Sequence, residues 1–173
     1  MANLCVNRLF IAGASEQVEA ALADLDRSGE REGLSFAALL PEPEALTEGV
    51  GAGLDSRKAA WRREHWGSTS DPLSAERRGQ PSQGGIDVEF QTDGPPLPWA
   101  EALARAHPLL EVRLLYDCAD DQRAGMATFS AGRFVGYSEV VPAGYERWLE
   151  EMAPRSIYGL HEPPYETVFL TDR

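Results

Sequence analysis

Apolar residues return at i, i+3, i+4 and i+7 in three places along the chain: Val18/Ala21/Leu22/Leu25, Trp99/Ala102/Leu103/Ala106 and Tyr145/Trp148/Leu149/Met152. That spacing gathers four side chains on one face of a helix, and such a face must be buried against another element. Alternating runs beside each helix make a sheet the natural partner. Residues 4–12 predict a first strand, with Cys5, Asn7, Leu9 and Ile11 on one face. Gly13 breaks it, and Ser15 is the expected N-cap of a helix reaching about Arg27. The apolar run Leu34–Leu40, stopped by Pro41-Glu42-Pro43, predicts a second strand.

Ile86, Val88 and Phe90 then alternate with Asp87, Glu89 and Gln91, which predicts a third strand with those polar residues outward. Pro98 suits the first turn of the next helix, and His107-Pro108 closes it. Leu110, Val112, Leu114 and Tyr116 mark a fourth strand. Met126–Ser130 and Arg133–Val140 predict two more, joined at Ala131-Gly132. Pro142 opens the third helix, and Thr167–Thr171 is expected to add an edge strand.

The chain to Asp117 thus reads strand-helix-strand, insertion, strand-helix-strand. The predicted fold is α+β, a ferredoxin-like α/β plait (βαββαβ) with both helices on one face of an antiparallel sheet. Residues 1–120 are expected to form the plait, with a long insertion at about 42–85. Within it, a short helix should run from about Ser56 to His65, and residues 67–85 read as loop. Residues 121–173 form a C-terminal hairpin, helix and strand extension, packed on the same domain.

Composition narrows the classes. Over 173 residues the formal charge is −12, with 43% hydrophobic residues, an ordinary balance for a globular domain. No apolar stretch is long enough to cross a bilayer, and the N-terminus reads as a strand with no signal-peptide pattern, so a cytoplasmic protein is expected. Arg57, Lys58, Arg62, Arg63, Arg77 and Arg78 make one locally basic stretch on an acidic chain. The overall sign argues against nucleic-acid binding, as do the outward Asp87 and Glu89. The two cysteines, Cys5 and Cys118, lack metal-ligand spacing, which argues against zinc or an iron–sulfur cluster. Reduced buried thiols are expected for both, since cytosolic thiols usually stay reduced. No cofactor, no metal and no catalytic residue is predicted.

Few residues invite chemistry. Trp61 and Trp66 flank Arg62-Arg63-Glu64-His65, which offers charge and π-faces to an anion or a base, or simply pins the insertion to the sheet. The latter is favoured. His107, at a helix end, is expected to be structural. Asp117, Asp120 and Asp121 read as a solvated acidic turn. Gly49–Gly53 lacks the Lys-Ser/Thr of a phosphate loop.

Several short pieces resemble the YubB ferredoxin-like domain family, whose members occur on plasmids, phages and bacterial genomes. They are Asn3-Leu4-Cys5-Val6-Asn7-Arg8-Leu9 with Gly13, Phe36 to Pro43, Trp61, Trp66-Gly67, Phe90 to Thr92 with Pro95-Pro96, and His107-Pro108. The resemblance covers the first two-thirds of the chain and implies the plait. The family pattern carries tryptophan where this chain has Leu4, again at about Ser70 and a third near Gly94, so these positions are expected to share one cluster. The resulting expectation is a non-enzymatic binding protein that takes a protein partner or self-associates. The alternative is a small-ligand binder or enzyme with a pocket between insertion and sheet, using Asn7, Arg62, His65 and Trp66.

Overall fold

The computed structural model describes residues 4–26, 34–47 and 53–140. The expected helix after Pro142 and the edge strand at Thr167–Thr171 lie outside the described residues. Six strands form one antiparallel sheet: β1 (Cys5–Ala12), β2 (Ala75–Gln80), β3 (Gly85–Thr92), β4 (Glu111–Cys118), β5 (Arg123–Ser130) and β6 (Arg133–Val140). Their order across the sheet is β2-β3-β1-β4-β5-β6. Among the described residues five α-helical segments accompany them, α1 (Ser15–Leu25), α2 (Phe36–Leu39), α3 (Glu44–Thr47), α4 (Leu54–His65) and α5 (Leu97–Ala106).

Alternation decides which side of each strand is buried. Cys5, Asn7, Leu9 and Ile11 of β1 point inward, and so do Ile86, Val88 and Phe90 of β3. Val18, Ala21, Leu22 and Leu25 of α1 meet this face, as do Trp99, Ala100, Leu103 and Ala104 of α5. The buried stripe of α5 therefore uses Ala100 and Ala104 beside Trp99 and Leu103, where the spacing predicts Ala102 and Ala106. Glu89 and Gln91 lie on the opposite face, beside Asp87, which is buried under an ion pair to Arg8 at 2.8 Å.

Three expectations are corrected. The run Leu34–Leu40 is not a strand: Phe36–Leu39 forms the short helix α2. A continuous apolar run has no period that separates strand from helix. Here the backbone N–H of Phe36 donates to Asp71 Oδ1 at 2.7 Å, a helix-start bond supplied from far along the chain. The second correction concerns residues 67–85, read as loop. They contain β2, which pairs with β3 from Ala75↔Phe90 to Gln80↔Gly85. Its sequence AERRGQ is polar on both sides because an edge strand meets water, so alternation is absent. Third, α1 is entered through Ala14, and Ser15 is not its cap; the Ser15 hydroxyl donates instead to Pro81 O at 2.7 Å.

Candidate functional site

Of the four residues singled out in the sequence, Arg62 and Trp66 touch, His65 is linked to Trp66 through Trp61, and Asn7 makes its contacts elsewhere. Asn7 is fully buried in β1, where Nδ2 donates to Cys5 O at 3.1 Å and to Thr92 Oγ1 at 2.7 Å. Arg62 is committed to α4 and its surroundings: it ion-pairs with Glu42, donates to Thr69 O at 3.0 Å and lies 5.1 Å above the Trp66 ring. His65 stacks on Trp61 with ring centroids 4.2 Å apart, and its Nδ1 is 2.9 Å from Trp61 O. Trp66 is core, 1% exposed, edge-on to Phe36, with Nε1 donating to Leu40 O at 3.0 Å. Both tryptophans pin the insertion, as favoured from the sequence. His107 is also structural: it ends α5 and reaches Asp24 Oδ2 at 3.1 Å.

Leu4, Ser70 and Gly94 flank the same end of the sheet, just outside β1, β2 and β3 respectively. Leu4 adjoins Cys5, which faces Thr92 in register. The Thr92 hydroxyl donates to Gly94 O, and the Ser68 hydroxyl, which lies near Ser70 O, donates to Asp93 at 2.6 Å. Burial alone would raise the Asp93 pKa, but the hydrogen bonds from Ser68 and Thr69 outweigh it and hold the carboxyl below its ordinary value.

The cysteines require a fourth correction, because Cys5 and Cys118 form a disulfide. They stand directly opposite one another on β1 and β4. A pairing 113 residues apart in sequence leaves no local signal, and only the strand register brings the two together.

Beside this disulfide lies a concavity that sequence reasoning missed. Leu97, Pro98 and Glu101 of α5, Ala127 and Phe129 of β5, and Phe134 and Tyr137 of β6 line an open hollow of about 330 Å³. The lining is mostly apolar, and Phe134 remains 44% exposed with Val135 beside it at 61%. Alternation of β5 and β6 supplies the floor, but the groove exists only because α5 crosses above two strands distant in sequence.

One end of the groove is polar. Tyr116 and Tyr137 share a hydroxyl–hydroxyl bond, Tyr137 donates to Glu139 Oε2 at 2.9 Å, and Arg123 ion-pairs with Glu139 at 2.5 Å. Gly125 makes this possible, since a Cβ there would meet the Tyr116 hydroxyl at 2.6 Å. Burial, with its bond to Tyr137, raises the Tyr116 pKa far above its ordinary value; burial also raises that of Tyr137. A raised folded-state pKa means that the unfolded chain loses these protons first. Their stabilisation is complete below about pH 10 and is lost as pH rises further. Absorbance titration at 295 nm of the folded protein should show Tyr116 and Tyr137 silent at pH values where free tyrosine ionises. Tyr116→Phe should blunt the alkaline loss of stability; an unchanged profile would mean that these hydroxyls do not control it.

Among the described residues no group of His, Cys, Asp or Glu is arranged to hold a metal ion, and no helix is long and apolar enough to cross a membrane. The fold defines the class: an α+β protein on one six-stranded antiparallel sheet whose main helices share one face. No protein-family model matches the chain, and no curated protein does either. Among solved structures it is similar to the crystal structure of the protein api92 from Yersinia pseudotuberculosis, of family DUF1281. The two are 9% identical, with a TM-score of 0.61 over 81% of this chain and 98% of that one. At that identity the likeness concerns the fold alone.

Proposed function

We propose that the protein is a non-enzymatic binding module that docks an apolar segment of a protein partner in the groove between α5 and the β5–β6 pair. The observation that carries this reading is the groove itself, apolar within and open beside the exposed Phe134 and Val135. Exposed aromatic side chains next to a pocket are what a partner's apolar anchors seek. With a chain charge of −12, a basic rim on the partner would be complementary.

The same proposal includes a ferredoxin-like plait of the YubB type, from a cytoplasmic, plasmid- or phage-associated source. Its support is the order β2-β3-β1-β4 of the first four strands, with α1 and α5 packed into one core. The alternative, a ligand pocket at Asn7, Arg62, His65 and Trp66, finds those side chains spent on tertiary contacts.

Native mass spectrometry of the tagged protein recovered from its host tests the proposal. A stoichiometric protein mass is expected on the wild type and should fall at least tenfold with Phe134→Asp, as for loss of a central apolar anchor. A partner retained by Phe134→Asp would place the interface elsewhere. A small-molecule adduct, or the bare chain alone, would count against a docked protein.

A further inference from the structure

We propose that the Cys5–Cys118 disulfide regulates the groove, so that the oxidised chain binds and the reduced chain binds weakly; this rests on the groove being the binding surface. The buried cluster of Cys5, Cys118 and Tyr116 is completed by two partly buried side chains, Leu97 and Tyr137. Both line the groove. The cluster that holds the disulfide thus shares Leu97 and Tyr137 with the wall that an incoming apolar segment would touch.

Reduction changes that packing by a definite amount. Two bonded sulfurs become two thiols in van der Waals contact, so they move apart by roughly 1.5 Å. Close-packed interiors transmit a displacement of this size to their neighbours. Cys5 begins β1 and Cys118 ends β4, hence the sulfurs sit at the end of the strand pair, where that displacement meets least resistance. Tyr116 shares their buried cluster, and Leu97 and Tyr137 pack against that cluster. Tyr116 cannot retreat toward β5, because its hydroxyl already occupies the space over Gly125. The displacement therefore goes to Leu97 and Tyr137 and narrows the groove.

The chemistry balances with a thiol reductant of the glutathione or dithiol class. Its thiolate attacks one sulfur of the pair, forming a mixed disulfide and releasing the other as a thiolate that takes up a proton. A second reductant thiol attacks the mixed disulfide, giving Cys5 and Cys118 as thiols and an oxidised reductant: two electrons and two protons in all. Both cysteines are buried, at 1% and 4% exposure, so attack waits on opening at the strand ends. In a reducing compartment a disulfide of this kind acts as a sensor.

The neutral dye Nile red serves as the groove probe on the full chain, before and after tris(carboxyethyl)phosphine, with free thiols counted and circular dichroism recorded. Oxidised protein should bind the dye, and Phe134→Asp should abolish that binding. Reduction to two free thiols should weaken binding fivefold or more with the circular dichroism unchanged, in the range of allosteric couplings. The double variant Cys5→Ala/Cys118→Ala should be indifferent to the reductant. Equal dye affinity in both states would overturn the switch and leave the groove reading standing. So would failure of the native protein to yield thiols, or unfolding on reduction. Dye binding indifferent to Phe134→Asp would overturn the groove reading, and the switch with it.

Discussion

Trp66→Ala is expected to lower the free energy of unfolding by about 3–5 kcal/mol, measured by urea titration, with the transition midpoint falling in proportion. Trp66 is 1% exposed and stands where the end of α4 meets α2 and the residue that follows it. Its ring touches Phe36 of α2 edge-on at 5.9 Å and Trp61 of α4 at 5.8 Å, while Nε1 holds Leu40 O. Truncation leaves a cavity that Gly67 cannot fill by shifting. Gly67 has φ +82° and sits so close to Pro95 that a Cβ would lie 2.4 Å from its carbonyl oxygen. Trp61→Ala, at a partly buried site, should cost clearly less. A loss below about 1 kcal/mol for Trp66→Ala, the level of an ordinary surface change, would mean that α4 is held by its ion pairs alone.

The second large effect belongs to the disulfide. Cys5→Ala/Cys118→Ala is expected to cost about 5 kcal/mol, because the bond closes a loop of 113 residues and removes that much freedom from the unfolded chain. For a chain of this size the loss corresponds to a fall in melting temperature of about 10–20 °C. Reductant should produce the same fall in the wild type and none in the double variant. Coincident melts of oxidised and reduced wild type would contradict a native disulfide. This cost arises in the unfolded state, whereas the proposed effect on the groove arises in the folded one. The reduced chain therefore keeps its sheet, in which β1 remains paired along its length to both β3 and β4.

What was legible in the sequence was whatever a local period could encode. The faces of β1, β3 and β4, the buried stripe of α1 and the β5–β6 hairpin follow from spacings of two and of three to four residues. Trp66 as an anchor was readable from its size, and His107 as a helix-end residue from its place before Pro108. The misread segments are those whose structure is set by partners far along the chain. Phe36 starts a helix because Asp71 meets its N–H, and Ala75–Gln80 is a strand because β3 offers it an edge. A polar edge strand carries no hydrophobic period, so nothing local announces it.

The site shows the same division. Arg62, His65 and Asn7 look chemical as residue types, yet each is consumed by packing, ion pairing or hydrogen bonding that only the folded arrangement reveals. Phe134, Leu97 and Tyr137 look like ordinary apolar positions in a strand, a helix and a strand. The sequence by itself determined the α+β class, the inward faces and the net acidity, because propensity, alternation and charge are properties of neighbours in the chain. The tertiary structure decided which strand lies at the edge, that Cys5 meets Cys118, and that α5 crosses β5 and β6 to leave a groove. Those are contacts between residues remote in sequence, fixed by register and packing rather than by any local pattern.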